Sequence, residues 1–123
     1  EYKHMIEETQ TTQKSEITYG DFEKVDIRIG RVVEASAPEW SRKLLELHVD
    51  FGSEIGTKTI FTGIKEWYEP DFFTGKHGVF IINLAERKMG EGVSQGMMLM
   101  ADDDEKPVPF FVADSVPAGT IVR

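Results

Sequence analysis

The strongest constraint on the fold is a period-two alternation that slips. Val25, Ile27 and Ile29 alternate with Asp26 and Arg28, so apolar side chains take one face of a strand and charges the other. After Gly30 the phase breaks, because Val32 and Val33 are adjacent. A glycine at such a slip marks a bulge or sharp bend within a strand over residues 25–35, as small closed barrels need. A second strand over 43–51 alternates without a break. Leu45, Leu47, Val49 and Phe51 share one face; Glu46, His48 and Asp50 share the other.

The rest of the chain reads as short strands with turns between them. Thr18 and Asp21 form a capping-box-like pair opening a turn of helix over 19–24, from which Phe22 can pack inward. A loop over 36–42 carries Pro38 and Trp40. After a turn at 52–56, residues 57–62 are a third strand rich in β-branched side chains. Residues 64–73, with Trp67, Tyr68, Phe72 and Phe73 around Pro70, form a helical or turn segment that plugs one end of a barrel, with core packing favoured for its aromatics. Residues 79–84 are an apolar fourth strand, Gly90 and Gly92 bracket a flexible loop, and 97–101 are a fifth strand. An acidic turn at 102–105 and short strands at 108–112 and 120–122 follow. Five strands with a plug between the third and fourth fit an all-β OB-fold, a five-stranded Greek-key barrel. Periodicity alone also admits a generic small barrel or sandwich.

At 123 residues the chain fits one domain over 17–123 behind a polar, mobile lead-in over 1–16. It has no cysteine, which excludes disulfides and thiolate chemistry and fits a cytosolic protein. No stretch approaches the ~20 apolar residues of a membrane helix, so no membrane partner is expected. The net charge of −8 is an unusual footprint for a protein that meets phosphate. Its distribution matters more than its total. Residues 17–101 hold 13 acids and 10 bases, and Arg28 with Arg31, Arg42 with Lys43, and Arg87 with Lys88 form pairs there.

Catalysis finds little support. The histidines at 4, 48 and 77 lack metal-ligand spacing, no nucleophile elbow or phosphate-cradling loop is present, and no cofactor is implied. Binding finds more. An OB-fold reads nucleic acid on its early strands and rim loops. That surface would take Arg28 from strand one, Arg42 and Lys43 from the loop before strand two, and Arg87 and Lys88 from the loop before strand five. Asn83, Ser94 and Gln95 add neutral donors and acceptors suited to phosphates, 2′-hydroxyls and base edges. Trp40, in a polar loop beside Arg42 and Lys43, is a candidate for exposed stacking.

Several of these segments, taken in order, carry a resemblance. They are Asp26-Ile27-Arg28-Ile29-Gly30, Lys43-Leu44-Leu45, Thr62-Gly63-Ile64, Asn83 within 79–84, and Arg87-Lys88-Met89-Gly90 leading to Ser94-Gln95-Gly96-Met97. The chain resembles the tRNA-binding domain family, which occurs appended to methionyl- and tyrosyl-tRNA synthetases or as free-standing dimers. The resemblance implies a non-catalytic OB-fold that binds tRNA by shape and backbone, raising its effective concentration near a synthetase. Carried over by position, Arg28, Lys43, Asn83, Lys88, Ser94, Gln95 and Met97 are implied as the tRNA surface. A homodimer is implied through the N-terminal turn and the tail over 108–122.

Departures from the family pattern are local. Thr62 keeps a hydroxyl where serine is usual, and Trp40-Ser41-Arg42 replaces a small acidic loop. The exit of strand two, residues 49–56, is similar to secretion-chaperone-like proteins on the same fold, so a peptide-binding dimer is the alternative. His4-Met5 matches a common cloning junction, making residues 1–4 a candidate cloning scar; the competing reading is a fragment of a synthetase.

Overall fold

The computed structural model describes residues 13–123. The expected scar lies outside the described residues, as does most of the lead-in; residues 13–16 are exposed and without regular structure. The first element is a helix, α1 (Tyr19–Glu23), opened by the expected capping box: Thr18 Oγ1 accepts from the Asp21 N–H at 3.0 Å. Phe22 does not pack inward. The helix buries no residue, and the Phe22 ring sits 6.5 Å from Tyr19, half-exposed.

Strands β1 (Ile27–Ser36), β2 (Leu45–Asp50) and β3 (Thr57–Thr62) form an antiparallel meander, and β4 (His77–Ile81) pairs antiparallel with the other edge of β1. The alternation of β2 is obeyed fully: Leu45, Leu47 and Val49 are completely buried and Phe51 nearly so. Each such side chain contributes about 1.5–3 kcal/mol relative to exposure. The slip in β1 is real but displaced. The register against β2 shifts between Val32 and Glu34, so Val33 is the extra residue and stays exposed while Val32 enters the core. Gly30 serves a different purpose: a Cβ there would stand 2.5 Å from Val49 Cγ1 and 2.6 Å from Phe51. It faces the core, so the inward face of β1 runs through Gly30 and Val32.

The first residues of β1, Ile27 to Ile29, are bordered along one edge by the C-terminal segment. The Ile29 N–H donates to Thr120 O at 2.9 Å and the Val122 N–H to Ile27 O at 2.9 Å. The tail thus takes the edge position of β1 that β2 leaves open. The strand expected over 120–122 reduces to one bridge, Arg28 to Ile121.

The plug is a turn over 64–68 followed by a 3-10 turn, Pro70–Phe72. Ile64 and Phe73 are buried in the core, and Tyr68 is partly covered, its hydroxyl donating to Pro107 O at 2.7 Å. Trp67 and Phe72 are half-exposed, against the expectation that crowding would bury them; Phe72 lies at the rim of the aromatic cluster, its ring 5.0 Å from Tyr68 and 5.2 Å from Phe73. The fourth strand is shifted toward the N-terminus, and Leu84 is exposed beyond it.

The larger correction concerns residues 87–94. Strands β5 (Arg87–Met89) and β6 (Gly92–Ser94) make a two-stranded hairpin where a flexible loop was expected. Strand β7 (Met97–Met98) pairs with β4, while β8 (Met100–Asp102) and β9 (Pro107–Pro109) form a ribbon around the acidic turn. Strand β10 (Phe111–Val112) also pairs with β4. Strands β1, β2, β3, β4 and β7 enclose the core as a nearly closed barrel of OB type.

Candidate nucleic-acid interface

The β5–β6 hairpin stands beside the β1–β2 connection. Its tight turn needs glycine, because Gly90 has φ +63° and a Cβ there would overlap the Trp40 ring. A Cβ on Gly92 would overlap the Phe61 ring. Trp40 and Phe61 pack at 5.7 Å between centroids. Two glycines that look like flexibility in the sequence are close-approach points that lock the hairpin against these rings.

The opposite flank is pinned equally well. Ser41 Oγ accepts from the Lys43 and Leu44 N–H groups, both at 3.1 Å, and the Lys65 N–H donates to Lys43 O at 3.1 Å. The backbone carrying Lys43 is therefore rigid while its ammonium stays exposed. A shallow, open groove runs between the flanks, lined by Trp40, Ser41, Lys43, Arg87, Lys88 and Met89 among others. Arg42 projects from the same connection, exposed, but is not part of the lining. The side chains of Arg42, Lys43, Arg87 and Lys88 form no hydrogen bond or ion pair with another described residue. Their charges are free to meet an anion.

The other expected surface residues sit elsewhere. Ser94 is buried: its hydroxyl accepts from the Phe61 N–H at 3.0 Å and donates to Gly96 O at 2.9 Å. Gln95 bonds β3 twice, its N–H donating to Thr59 O and its Oε1 accepting from the Thr59 N–H, both at 2.8 Å. These two residues close the barrel seam at β3, and the hydrogen bonds named here are made within the fold. Asn83 is exposed but committed, accepting from the Asp26 N–H at 2.9 Å and donating to Lys24 O at 2.6 Å. Arg28 is ion-paired to Asp26 at 2.7 Å and donates to Gly119 O at 3.1 Å, tying the tail to β1. Arg28 and Asn83 line a separate groove with Tyr19, Phe22, Ile121 and Arg123. Met97 is exposed on β7, and its neighbour Met98 enters the core instead.

Sequence reasoning missed another groove that Trp40 also borders. Glu46, Glu86, Glu91 and Gln95 line it together with Phe61. The missed signal was the hairpin itself. Once Gly90 is read as a turn rather than a hinge, residues on both sides of it acquire defined neighbours.

With this geometry in hand, the likenesses to known proteins can be placed. The family model described as "Putative tRNA binding domain" matches residues 27–121. The methionine–tRNA ligase of Dichelobacter nodosus is 41% identical over 104 residues, which span 85% of this chain and 15% of the ligase. That of Xanthomonas euvesicatoria is 46% identical over 109 residues, 88% of this chain and 16% of the ligase. The chain therefore spans about one sixth of the length of these curated relatives. Among solved structures, the MetRS-related protein of Pyrococcus horikoshii superposes with TM-score 0.83 at 32% identity, covering 89% of this chain and 100% of that one. The chaperone CsaA of Bacillus anthracis superposes at 0.79 with 25% identity, covering 89% and 100%. The match over most of the barrel settles the relationship: the chain belongs to the tRNA-binding domain family.

Proposed function

We propose that this chain is a non-catalytic tRNA-binding module that holds folded tRNA by shape and phosphate contacts and works beside a methionyl-tRNA synthetase in the cytoplasm, as a homodimer. One observation carries the reading. In a chain of this family, Lys43, Arg87 and Lys88 converge on one groove with no ion-pair partner among the described residues, despite the net charge of −8. Phosphates neutralised there would release counterions, so binding must weaken with salt. With Arg42 included, affinity should fall about 10²-fold between about 50 and about 200 mM salt. Fluorescence-anisotropy titration of unmodified tRNA at both salts tests this. Absence of binding at the lower salt, or equal binding to an unstructured RNA, would sink it. Sedimentation of the free protein and its tRNA complex checks the dimer.

A second reading has one specific observation behind it. The groove near the termini is bordered by exposed Tyr19, Phe22 and Ile121, and its apolar rim suits a peptide. On that reading the protein suppresses aggregation of an unfolded client, and Tyr19→Ser with Ile121→Ser abolishes the suppression while leaving tRNA binding intact.

A further inference from the structure

Trp40 is half-exposed yet held in place by Phe61 and the α-carbon of Gly90, and its ring borders both grooves. Lys43, Arg87 and Lys88 line one of these grooves with it; Glu46, Glu86 and Glu91 line the other. A fixed indole between a cationic and an anionic groove matches one nucleotide, whose phosphate and base differ in the same sense. Building on the tRNA reading above, we propose that Trp40 is the seat for a single unpaired base of the bound RNA, and that the seat selects guanine.

The orientation follows from charge. Carboxylates repel phosphate, so the backbone must lie on the lysine and arginine side and the base must point across the ring. Stacking on an aromatic side chain is worth about 1–3 kcal/mol per base by alanine substitution and does not discriminate bases by itself. Discrimination comes from the carboxylates, which only accept hydrogen bonds. Guanine presents adjacent N1–H and N2–H donors on its Watson–Crick edge, so one carboxylate can take both. Adenine and cytosine place an acceptor nitrogen beside their amino group, and uracil flanks its single N–H with two carbonyls. Glu46 is already engaged by His48 Nε2 at 2.8 Å, and Glu86 is reached only at 3.5 Å by the Gln95 amide. Glu91 forms no hydrogen bond or ion pair with another described residue. Glu91 at the hairpin turn, and Glu86 just before β5 with only that long contact, are therefore the groups best placed to read the base.

The test follows the indole N–H signals of Trp40 and Trp67 by NMR, assigned with Trp40→Phe, while guanosine, inosine, adenosine and cytidine 5′-monophosphates are titrated into the full chain. Guanosine monophosphate should move the Trp40 signal and leave Trp67 still. Inosine monophosphate, lacking the N2 amine, should bind about tenfold more weakly. The exposed pair Glu86→Gln and Glu91→Gln should bring guanosine down to the level of adenosine without changing the melting temperature. Equal shifts for all nucleotides, or none, overturn the guanine seat. A parallel titration with tRNA separates the two ideas: tRNA binding without a nucleotide-selective shift removes the seat and leaves the module, whereas selective shifts without tRNA binding support the seat and remove the module.

Discussion

Two stretches of one small ribbon put their polar side chains to opposite uses. Arg87 and Lys88 on β5 stay exposed, with no partner among the described residues, and face the groove. Ser94 at the end of β6 and Gln95 just beyond it turn to β3 and satisfy the Phe61 and Thr59 backbone groups. The physical distinction is position relative to an open strand edge. A hydroxyl or amide that can reach an unpaired N–H inside the barrel is recruited there, because leaving that N–H dry costs about 1–3 kcal/mol. The cationic side chains of Arg87 and Lys88 reach no such group among the described residues, so they remain available for a ligand. Binding and stability should therefore separate along this ribbon.

The largest expected effect breaks the binding half. Lys43→Glu, Arg87→Glu and Lys88→Glu together should weaken tRNA binding by at least about 10²-fold at low salt, since each reversal removes a phosphate contact and adds repulsion. The melting temperature should hardly move, because these exposed groups have no described partners to lose. Next comes the joint between the halves. Gly92→Ala forces a methyl into the Phe61 ring and should cost about 1–3 kcal/mol in denaturant titration. It should also loosen the hairpin enough to lower tRNA affinity.

Ser94→Ala leaves the Phe61 N–H without its acceptor, and about 1–3 kcal/mol of stability should be lost. Affinity measured well below the melting transition should be unchanged. A drop in affinity in that variant, at unchanged stability, would mean that Ser94 meets RNA and that the contrast drawn above is false. The smallest effect belongs to Asn83→Ala, which releases two hydrogen bonds at an exposed site and should cost about 1 kcal/mol, again without touching tRNA binding.

The residues legible from sequence are those whose role depends on near neighbours. Strand β2 could be read directly because its alternation fully predicts which side chains are buried. The capping box of Thr18 and Asp21 was equally local. The grouping of the candidate site was half legible. Lys43, Arg87 and Lys88 were expected at a binding surface and do converge, whereas Arg28 and Asn83 lie in a different groove, occupied with the tail and with the segment before β1. Nothing near Asn83 in the chain announces that Lys24 and Asp26 will be its partners.

What the amino-acid sequence determined by itself was the first three strands, the family resemblance, and the pairs of bases that a phosphate could meet. The tertiary structure decided which polar residues remain free to act. It did so by bringing β3 beside residues 94 and 95, by seating Trp40 on Gly90, and by laying the tail along β1. The reason is range. Alternation and capping are set within a few residues. The Gly119 carbonyl that Arg28 reaches, and the β3 N–H groups that Ser94 and Gln95 satisfy, lie tens of residues away, and only the folded chain brings them within about 3 Å.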